Sequence, residues 1–323
     1  MLPLGADLQY VFPFRDLAAC TAVRELPRDQ ITRREPHHHP DFHIKVIATA
    51  AELYQSFAED MLQSIQAAAA AGRPYVGIFP VGPVAQYPLL ARRILETGTP
   101  LDHCRLFFLD EYAFEDGRTI DKSSPWSFEF TVRGRLFDPL EEAGVKPEQL
   151  HFPGPDNIER YDEMILEASD GRGADVVYGG VGWAGHFAFW DPHLAEEFAT
   201  EEDWRKGHSA LVRLHPMTVL QNCLRGGGDW SLLPSCAYTV GPAVILGAQR
   251  RCFYLDALLG PGISWQRFVG RLATHGPVTP HIPASYLQTA PGTVTFLEDL
   301  TEEIGAPRYV DKQPAGGARP NAS

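Results

Sequence analysis

Short apolar runs rich in β-branched and aromatic residues alternate along this chain with stretches of helical periodicity, and no other feature limits the possible folds as much. Strands that alternate with helices predict a mainly parallel sheet with helices packed on its faces. Five runs are the clearest strand candidates: HIKVIA (43–48), YVGIF (75–79), CRLFFL (104–109), ADVVYGG (174–180) and RCFYLDA (251–257). We therefore predict an α/β fold built on a mainly parallel sheet.

A long amphipathic helix is predicted between the first two of these strands. The segment 51–71 repeats apolar residues at four-residue spacing, which places them on one face of a helix: Leu53, Phe57, Met61 and Ile65. Gly72 follows as a helix C-cap, because glycine readily adopts the left-handed conformation that ends many helices. The loop 225–229, RGGGD, is predicted to be a turn or flexible connection with little part in function.

The two ends of the chain differ in composition from the segment between them. Over residues 1–42 prolines punctuate charged pairs, which predicts an N-terminal extension that is irregular up to about residue 40. Residues 311–323, DKQPAGGARPNAS, are polar and rich in proline and glycine, which predicts a disordered tail. Residues 43–310 show no fixed-period repeat and no composition break, so we assign them to one α/β domain.

Composition and charge narrow the class of partner. The chain has 323 residues, 44% of them hydrophobic, which is enough for a core that needs no disulfide or metal to hold it. A formal net charge of -13 repels phosphate backbones and anionic lipid, so nucleic acid and membrane surfaces are poor partners. We therefore predict a small molecule as the partner.

The cysteines and the N-terminus indicate the compartment. Five cysteines are widely separated, odd in number and without a CxxC pair, which argues against a disulfide framework and a zinc knuckle. Residues 1–10 lack the basic and apolar regions of a signal peptide, and no apolar run approaches the length of a membrane span. These features predict a soluble, cytoplasmic protein with reduced thiols and no metal site.

Three segments carry the candidate chemistry, because loops that follow the carboxyl ends of parallel strands diverge and leave a crevice for ligands. They are FPVGPVAQY (79–87), FFLDEYAF (107–114) and YGGVGWAGHFAFWDP (178–192). The first leads from a strand into a helix, the second brings two carboxylates to a strand end, and the third presents a histidine from a glycine-rich turn.

In this order the segments resemble those of the glucosamine-6-phosphate deaminase family. FLDEY, followed by SPWSF (124–128), is similar to the family's DEY…S-x-x-SF stretch, and GGVGWAGHFAFWDP is similar to its GG-x-G-x-DGH-x-AF-x-EP signature. Weaker similarities lie at TVGPAVILGA (239–248) and PASYLQ (283–288). The resemblance covers about residues 43–299. It implies a Rossmann-like α/β fold, a sugar or amino sugar as substrate, no metal or organic cofactor, and a tendency to form homo-oligomers.

The resemblance also implies roles for individual residues. Members interconvert an amino sugar phosphate and a ketose phosphate, with release of ammonia, through an enediol-type intermediate. Asp110 would be the base that moves a proton between C2 and C1, and His186, with Asp191 as its partner, would assist ring opening. The residues expected to bind the substrate are Gly82, Glu111, Gly182, Trp183 and Gly185. These assignments require Asp110 and His186 to face one sugar-sized hollow.

The chain departs from the family pattern at several positions. Ala184 stands where the family has an aspartate that pairs with the histidine, and alanine can neither accept a proton nor orient an imidazole. The loop PVGPVAQY lacks the hydroxyls of the family's phosphate loop, and Pro83 removes an N–H donor. Val219 and Gly260 fall where the family's phosphate-binding arginine and lysine are expected. These departures predict a substrate that is not bound through the usual phosphate site.

Two alternatives to a sugar isomerase or deaminase stay open. A lactonase-like hydrolase is one, because 6-phosphogluconolactonases share the fold and a similar glycine–histidine turn. The segment after Asp110 reads EYAF, however, where those enzymes have an arginine-containing stretch. A non-catalytic sugar-binding protein of the same fold is the other. Ala184 and the altered phosphate loop favour it, while the retained DEY and GH segments argue against it.

Overall fold

Two sheets organise the residues that the computed structural model describes, 14–260 and 263–305. The strands of these residues are, in chain order, β1 (Phe42–Ile47), β2 (Tyr75–Phe79), β3 (Cys104–Phe108), β4 (Asp110–Ala113), β5 (Leu150–His151), β6 (Val176–Gly179), β7 (Ala210–Arg213), β8 (Cys236–Thr239), β9 (Arg251–Leu255) and β10 (Gly292–Leu297). The larger sheet has the order β1-β10-β9-β6-β2-β3-β5, and its neighbouring strands are parallel. The predicted α/β fold is confirmed, as are the five strands predicted from their apolar runs.

Helices connect the strands and cover the larger sheet. They are α1 (Leu17–Arg24), α2 (Ala50–Ala70), α3 (Gln86–Thr97), α4 (Phe128–Val132), α5 (Tyr161–Ala168), α6 (Glu201–Arg205), α7 (Pro216–Cys223), α8 (Pro242–Gly247) and α9 (Gln266–His275). Short 3₁₀ segments and a π-helical turn, Arg133–Phe137, lie between them. Every residue of β2 and β9 is buried, as expected for central strands that are covered on both faces.

Helix α2 begins and ends as its sequence predicts. The hydroxyl of Thr49 accepts a hydrogen bond from the N–H of Glu52, whose carboxylate accepts one from the N–H of Thr49 in return. At the other end Gly72 has a φ of 64°, the left-handed conformation that glycine adopts without strain. The four apolar residues of the predicted stripe are buried. The helix prediction is confirmed, with each boundary one residue earlier than expected.

The N-terminal segment contains a helix that the sequence analysis did not expect. Helix α1 packs against α9, and Val23, Leu272 and Ile282 form a small apolar cluster beside them. The carboxylate of Asp16 caps α1 by accepting a hydrogen bond from the N–H of Ala19 at 2.8 Å. The prediction of irregular structure is therefore wrong for this part, because the prolines of the segment flank the helix instead of interrupting it.

A connecting segment joins α1 to β1 and is tied to the domain by its backbone. The N–H of His39 donates to the carbonyl of Gln288 at 2.8 Å, close to the start of the sheet. Residues 1–13 of the predicted extension and the predicted tail 311–323 lie outside the described residues.

The smaller sheet brings a carboxylate to the end of the larger one. Strand β4 follows β3 after Leu109 and pairs antiparallel with β8, which pairs in turn with β7. The N–H of Leu109 donates to the carbonyl of Phe79 at 3.0 Å, and its carbonyl accepts from the N–H of Val240 at 2.9 Å. Leu109 is therefore held by both sheets, and Asp110 begins the smaller sheet at the carboxyl end of β3.

An apolar core between the sheet and its helices holds the fold together. The five cysteines are unpaired, and four of them are buried. Within the part of the chain that the structure describes, none of the helices has the length and apolar character that crossing a bilayer requires.

Candidate active site

A cavity of about 740 Å³ opens at the carboxyl ends of the central strands. Asp110 and His186 both line it, so the two side chains that the sequence analysis required to share a hollow do share one. The walls include the loops that follow β2, β3, β6 and β9, where a parallel sheet leaves room for a ligand. The volume is within the usual range of small-molecule sites.

Asp110 is buried, with 6% of its surface exposed, and two donors fix its side chain. The N–H of Phe189 donates to Oδ1 at 2.9 Å, and the hydroxyl of Thr239 donates to the same oxygen. Burial raises the pKa of Asp110 to about 7, although these hydrogen bonds and the nearby His186 act to lower it. Both hydrogen bonds go to Oδ1, which leaves Oδ2 as the oxygen for a ligand.

His186 is held from behind the cavity wall by a buried carboxylate. Its Nδ1 lies 2.6 Å from Oδ1 of Asp191, and Asp191 also accepts hydrogen bonds from the hydroxyl of Thr218 at 2.7 Å and the N–H of His215 at 2.8 Å. Burial alone would raise the pKa of Asp191, but His186 and these hydrogen bonds hold it below its ordinary value. Because Nδ1 is engaged, Nε2 is the ring nitrogen that a ligand can reach.

Asp191 itself is fully buried and does not line the cavity. It can influence a ligand through His186, whose ring it orients and whose positive charge it would stabilise. Ala184, two residues before the histidine, is buried and offers no polar group to the imidazole. Asp191 thus lies where the predicted partner of His186 should lie, and its part in catalysis stays a prediction.

Two glycines of the histidine turn are needed for close packing. A Cβ on Gly182 would lie 1.8 Å from Nε2 of His186, so a side chain there would displace the imidazole. Gly185 has a φ of 85°, and a Cβ there would lie 3.1 Å from Cδ1 of Ile282. Gly182 lines the cavity, whereas Gly185 lies behind its wall. Gly185 therefore shapes the turn, and its contact with the substrate stays a prediction.

The carboxylate of Glu111 caps the start of α4. Its Oε1 accepts hydrogen bonds from the N–H groups of Tyr112 at 2.9 Å and Phe128 at 3.0 Å. Its Oε2 accepts from the hydroxyl of Ser127 at 2.8 Å and the N–H of Glu129 at 2.9 Å. Four internal donors occupy the carboxylate of Glu111, and the residue does not line the cavity. Its contact with the substrate stays a prediction.

Of the remaining predicted contacts, Gly82 lies on the cavity and Trp183 does not. The indole of Trp183 stacks on Trp265 with ring centroids 5.7 Å apart, and Trp265 lines the cavity. The N–H of Trp183 donates to Oε1 of Gln221 on α7. Trp183 therefore supports a cavity residue through its stacking on Trp265, and its own contact with the substrate stays a prediction.

Several cavity residues were not found by sequence reasoning. Arg135 reaches the cavity from the π-helical turn, and Asp256 reaches it from the end of β9. Arg225 belongs to the segment RGGGD, to which we gave little part in function, and its Nη2 would lie 3.0 Å from a Cβ on Gly82. An arginine in a glycine-rich turn is usually a solvated surface group, so the sequence contained no signal for this placement.

The loop after β2 is as poor in donors as its sequence suggests. Val81 and Pro83 line the cavity without a hydroxyl, while Val219 and Gly260 do not reach it. The guanidinium groups of Arg135 and Arg225 supply positive charge to the cavity from other loops. The loss of cations expected from the sequence is therefore offset by residues that the topology brings in.

The polar groups of the cavity are suited to proton transfer and hydrogen bonding. In residues 14–260 and 263–305, no group of three His, Cys, Asp or Glu side chains is arranged to hold a metal ion. General acid–base catalysis commonly uses a carboxyl with a pKa near neutrality, as in Asp110, or an imidazole oriented by a carboxylate, as in His186.

Comparison with known proteins relates this site to a family of sugar enzymes. No family model matches the chain. The "Glucosamine-6-phosphate deaminase 2" of Bacillus subtilis is 29% identical over 188 residues, 56% of this chain and 66% of that protein, or just under two thirds of its length. The "Glucosamine-6-phosphate deaminase 2" of Giardia intestinalis is 30% identical over 220 residues, 67% of this chain and 75% of that protein. This chain belongs to the glucosamine-6-phosphate deaminase family.

Solved structures agree with membership of the glucosamine-6-phosphate deaminase family at the level of the fold. A monomeric glucosamine-6-phosphate deaminase superposes with a TM-score of 0.66 at 22% identity, over 80% of this chain and 98% of that one. A 6-phosphogluconolactonase from Thermotoga maritima superposes with a TM-score of 0.57 at 15% identity, over 79% of this chain and 99% of that one. The predicted family is confirmed, and the chain is a divergent member of it. Because the solved deaminase is monomeric, family membership does not imply an oligomer.

Proposed function

We propose that this chain is an enzyme that interconverts an aldose and a ketose, with or without deamination, and that its substrate is a sugar or amino sugar. The observation that carries the proposal is the placement of Asp110 and His186 on one cavity of sugar size. Membership of the glucosamine-6-phosphate deaminase family supports the reaction class. The proposal names a class of substrate, a sugar or amino sugar, and not one compound.

Asp110 is the proposed base for proton transfer. In the ionised state its Oδ2 takes the proton from C2 of the open-chain sugar, which leaves an enediolate or its amino counterpart with the negative charge on the C1 oxygen. The same carboxyl returns the proton to C1, while a proton of the C2 substituent passes to the C1 oxygen. Where ammonia is released, water hydrolyses the resulting C2 imine. A pKa of about 7 suits this cycle, because the group must both remove and return a proton near neutral pH. The donors on Oδ1 hold the carboxyl in place during both steps.

His186 is the proposed group for ring opening. Its Nε2 exchanges a proton with the ring oxygen, while Asp191 holds Nδ1 and stabilises the imidazolium when it forms. Asp191 thereby takes the orienting part that Ala184 cannot play. Thr218 supports this pair, because its hydroxyl also lies 3.1 Å from Nδ1 of His186.

The proposed substrate is not bound through a hydroxyl-rich phosphate loop. Val81 and Pro83 give the loop after β2 few donors, so contacts with the far end of the sugar fall to side chains of other loops. Arg135 and Arg225 can donate to substrate oxygens there.

Proton exchange at C2 tests the assignment. A thermal-shift screen of sugars, amino sugars and their phosphates first identifies a ligand, since a compound that binds the native state raises its melting temperature. In deuterated water the wild-type protein should then incorporate deuterium at C2 of that compound. Asp110→Asn should reduce this exchange by roughly 10²- to 10⁴-fold. Asp116→Asn is the matched control, because Asp116 is an exposed partner of Arg118.

Three outcomes contradict the proposal. Unchanged exchange in Asp110→Asn would remove its role as the base. Release of acid from sugar lactones in a pH-stat, without exchange at C2, would favour a lactonase-like hydrolase. Binding of a sugar by the wild-type protein without any exchange would favour a non-catalytic sugar-binding protein.

A further inference from the structure

A second carboxylate, that of the half-buried Asp256, faces the cavity and takes no part in the proposed reaction. Asp256 follows β9 directly, and its Oδ2 accepts a hydrogen bond from the hydroxyl of Tyr54 at 2.7 Å. Tyr54 projects from α2, and both residues line the cavity. Since Tyr54 occupies Oδ2, Oδ1 is the oxygen that can accept a hydrogen bond from a ligand.

The loop that holds Asp256 is fixed at its base. The side chain of Gln266 accepts a hydrogen bond from the N–H of Ala257 at 2.7 Å and donates one to the carbonyl of Val181 at 2.8 Å. This bridge joins the loop after β9 to the loop after β6. Asp256 is therefore presented from a braced segment, as recognition groups in binding sites usually are.

Asp256 and Arg225 bring opposite charges to this end of the cavity. Burial raises the pKa of Asp256, while the hydrogen bond from Tyr54 and the positive charge of Arg225 act against the rise. Arg225 lies over Gly82, on the loop after β2. A negative carboxylate and a positive guanidinium thus share this end, and a phosphate there would meet the field of Asp256 as well as that of Arg225.

A buried donor without a hydrogen-bond partner gives independent support for a ligand in the cavity. Asn222 lines the cavity and is 3% exposed, and its Nδ2 has no hydrogen-bond partner among the described residues. Nε1 of Trp265, which also lines the cavity, is likewise unpartnered within them. Buried donors without partners cost free energy unless a ligand or water satisfies them.

A sugar hydroxyl matches this mixture of groups better than a phosphate does. A hydroxyl both donates and accepts, so the hydroxyls of a sugar can satisfy Asp256 and Asn222 together. A phosphate offers mainly acceptors at neutral pH and would leave Asp256 facing another negative group. We propose that Asp256, held by Tyr54, is a specificity-determining residue that selects a neutral, hydroxyl-bearing end of the sugar and disfavours a phosphorylated one. This inference rests on the proposed function, in that it concerns the same cavity.

Calorimetric titration of the full chain with glucosamine and with glucosamine 6-phosphate tests the inference. In the wild-type protein glucosamine should bind at least as tightly as its phosphate. Asp256→Asn keeps the shape and removes the charge, so the preference should shift toward the phosphate by roughly tenfold in the ratio of the two Kd values. Tyr54→Phe, which loosens the carboxylate, should give a smaller shift in the same direction and is the second variant if Asp256→Asn does not fold.

The outcomes separate this inference from the proposed function. An unchanged ratio in Asp256→Asn, or the absence of binding of both sugars to the wild-type protein and to this variant, overturns the inference. A shifted ratio without C2 exchange in the wild-type protein supports the inference and removes the isomerase. Exchange that depends on Asp110, with an unchanged ratio, removes the inference alone. Asp116→Asn again provides a surface control that should leave the ratio as it is.

Discussion

The two walls of the cavity hold their polar groups in different ways. On the proton-transfer wall the groups are buried and held by internal hydrogen bonds; its members are Asp110 and His186, and Asp191 holds His186 from outside the cavity. On the ligand wall two exposed arginines stand on short turns beside one braced carboxylate; its members are Arg135, Arg225 and Asp256.

Because of this difference, we expect one wall to determine the rate of turnover and the other to determine the affinity for the ligand. Side chains held by hydrogen bonds keep reacting atoms at a fixed distance, which proton transfer requires, whereas exposed arginines on turns can adjust to the oxygens of a ligand. We therefore expect changes on the first wall to alter turnover and changes on the second to alter affinity. The following predictions test that division, beginning with the largest effect.

Asp191→Asn should reduce turnover of the true substrate by roughly 10³-fold. The amide keeps the size of the side chain but cannot stabilise an imidazolium, and it favours the wrong tautomer of His186. The affinity for the substrate should change little, because Asp191 does not line the cavity. Steady-state kinetics over a pH series, with circular dichroism to verify the fold, checks this result. A variant within about threefold of wild-type turnover would show that His186 does not depend on its partner.

Glu111→Gln should lower the free energy of unfolding by about 2 kcal/mol. Four donors point at the carboxylate, and an amide nitrogen would oppose at least one of them. Chemical denaturation followed by fluorescence measures the change. At temperatures where the variant is folded its turnover should stay within about fivefold of wild type. A large loss of affinity with unchanged stability would instead indicate that Glu111 contacts the substrate.

Arg225→Gln should raise KM for the substrate roughly tenfold and leave kcat within about twofold. Arg135→Gln should act in the same direction, since both guanidinium groups line the cavity without belonging to the proton-transfer wall. Arg118→Gln is the matched control, because Arg118 pairs with Asp116 on the surface. Equal losses in kcat would mean that the two walls are not separable.

Asp110→Asn should raise the free energy of unfolding by about 1 kcal/mol at pH 8. The folded pKa of about 7 lies above the ordinary value of an aspartate, so the folded state binds more protons in the interval between them. Stability from this group is therefore present at acidic pH and is lost as the pH rises toward 7. Thermal unfolding of both proteins across this interval should show a difference that grows with pH. A constant difference would contradict the raised pKa.

Much of the fold could be predicted from local sequence. Buried parallel strands need apolar residues on both faces. Runs such as YVGIF can therefore be recognised as strands without any tertiary information. Helix α2 is predictable from its stripe of apolar residues and from its capping residues. Helix α1 was missed because its stability comes from a cap and from packing against α9, which lies about 250 residues later in the sequence.

The candidate site was predictable where one short segment contains several of its parts. The turn around His186 carries the imidazole, its buried partner and the glycine beneath the ring within ten residues, 182–191. Arg135, Arg225 and Asp256 come from separate loops, and each has an ordinary surface or strand-end sequence around it. Their meeting is a product of the sheet order, which single-sequence patterns do not contain.

The junction at Leu109 affects when the candidate site can form during synthesis of the chain. Asp110 is fixed by Thr239, a residue that leaves the ribosome 129 positions later. Until that distant strand has been synthesised and paired, the carboxyl has neither its hydroxyl donor nor its dry surroundings. A nascent or truncated chain that ends before β8 therefore carries the motif without the arrangement proposed for acid–base chemistry.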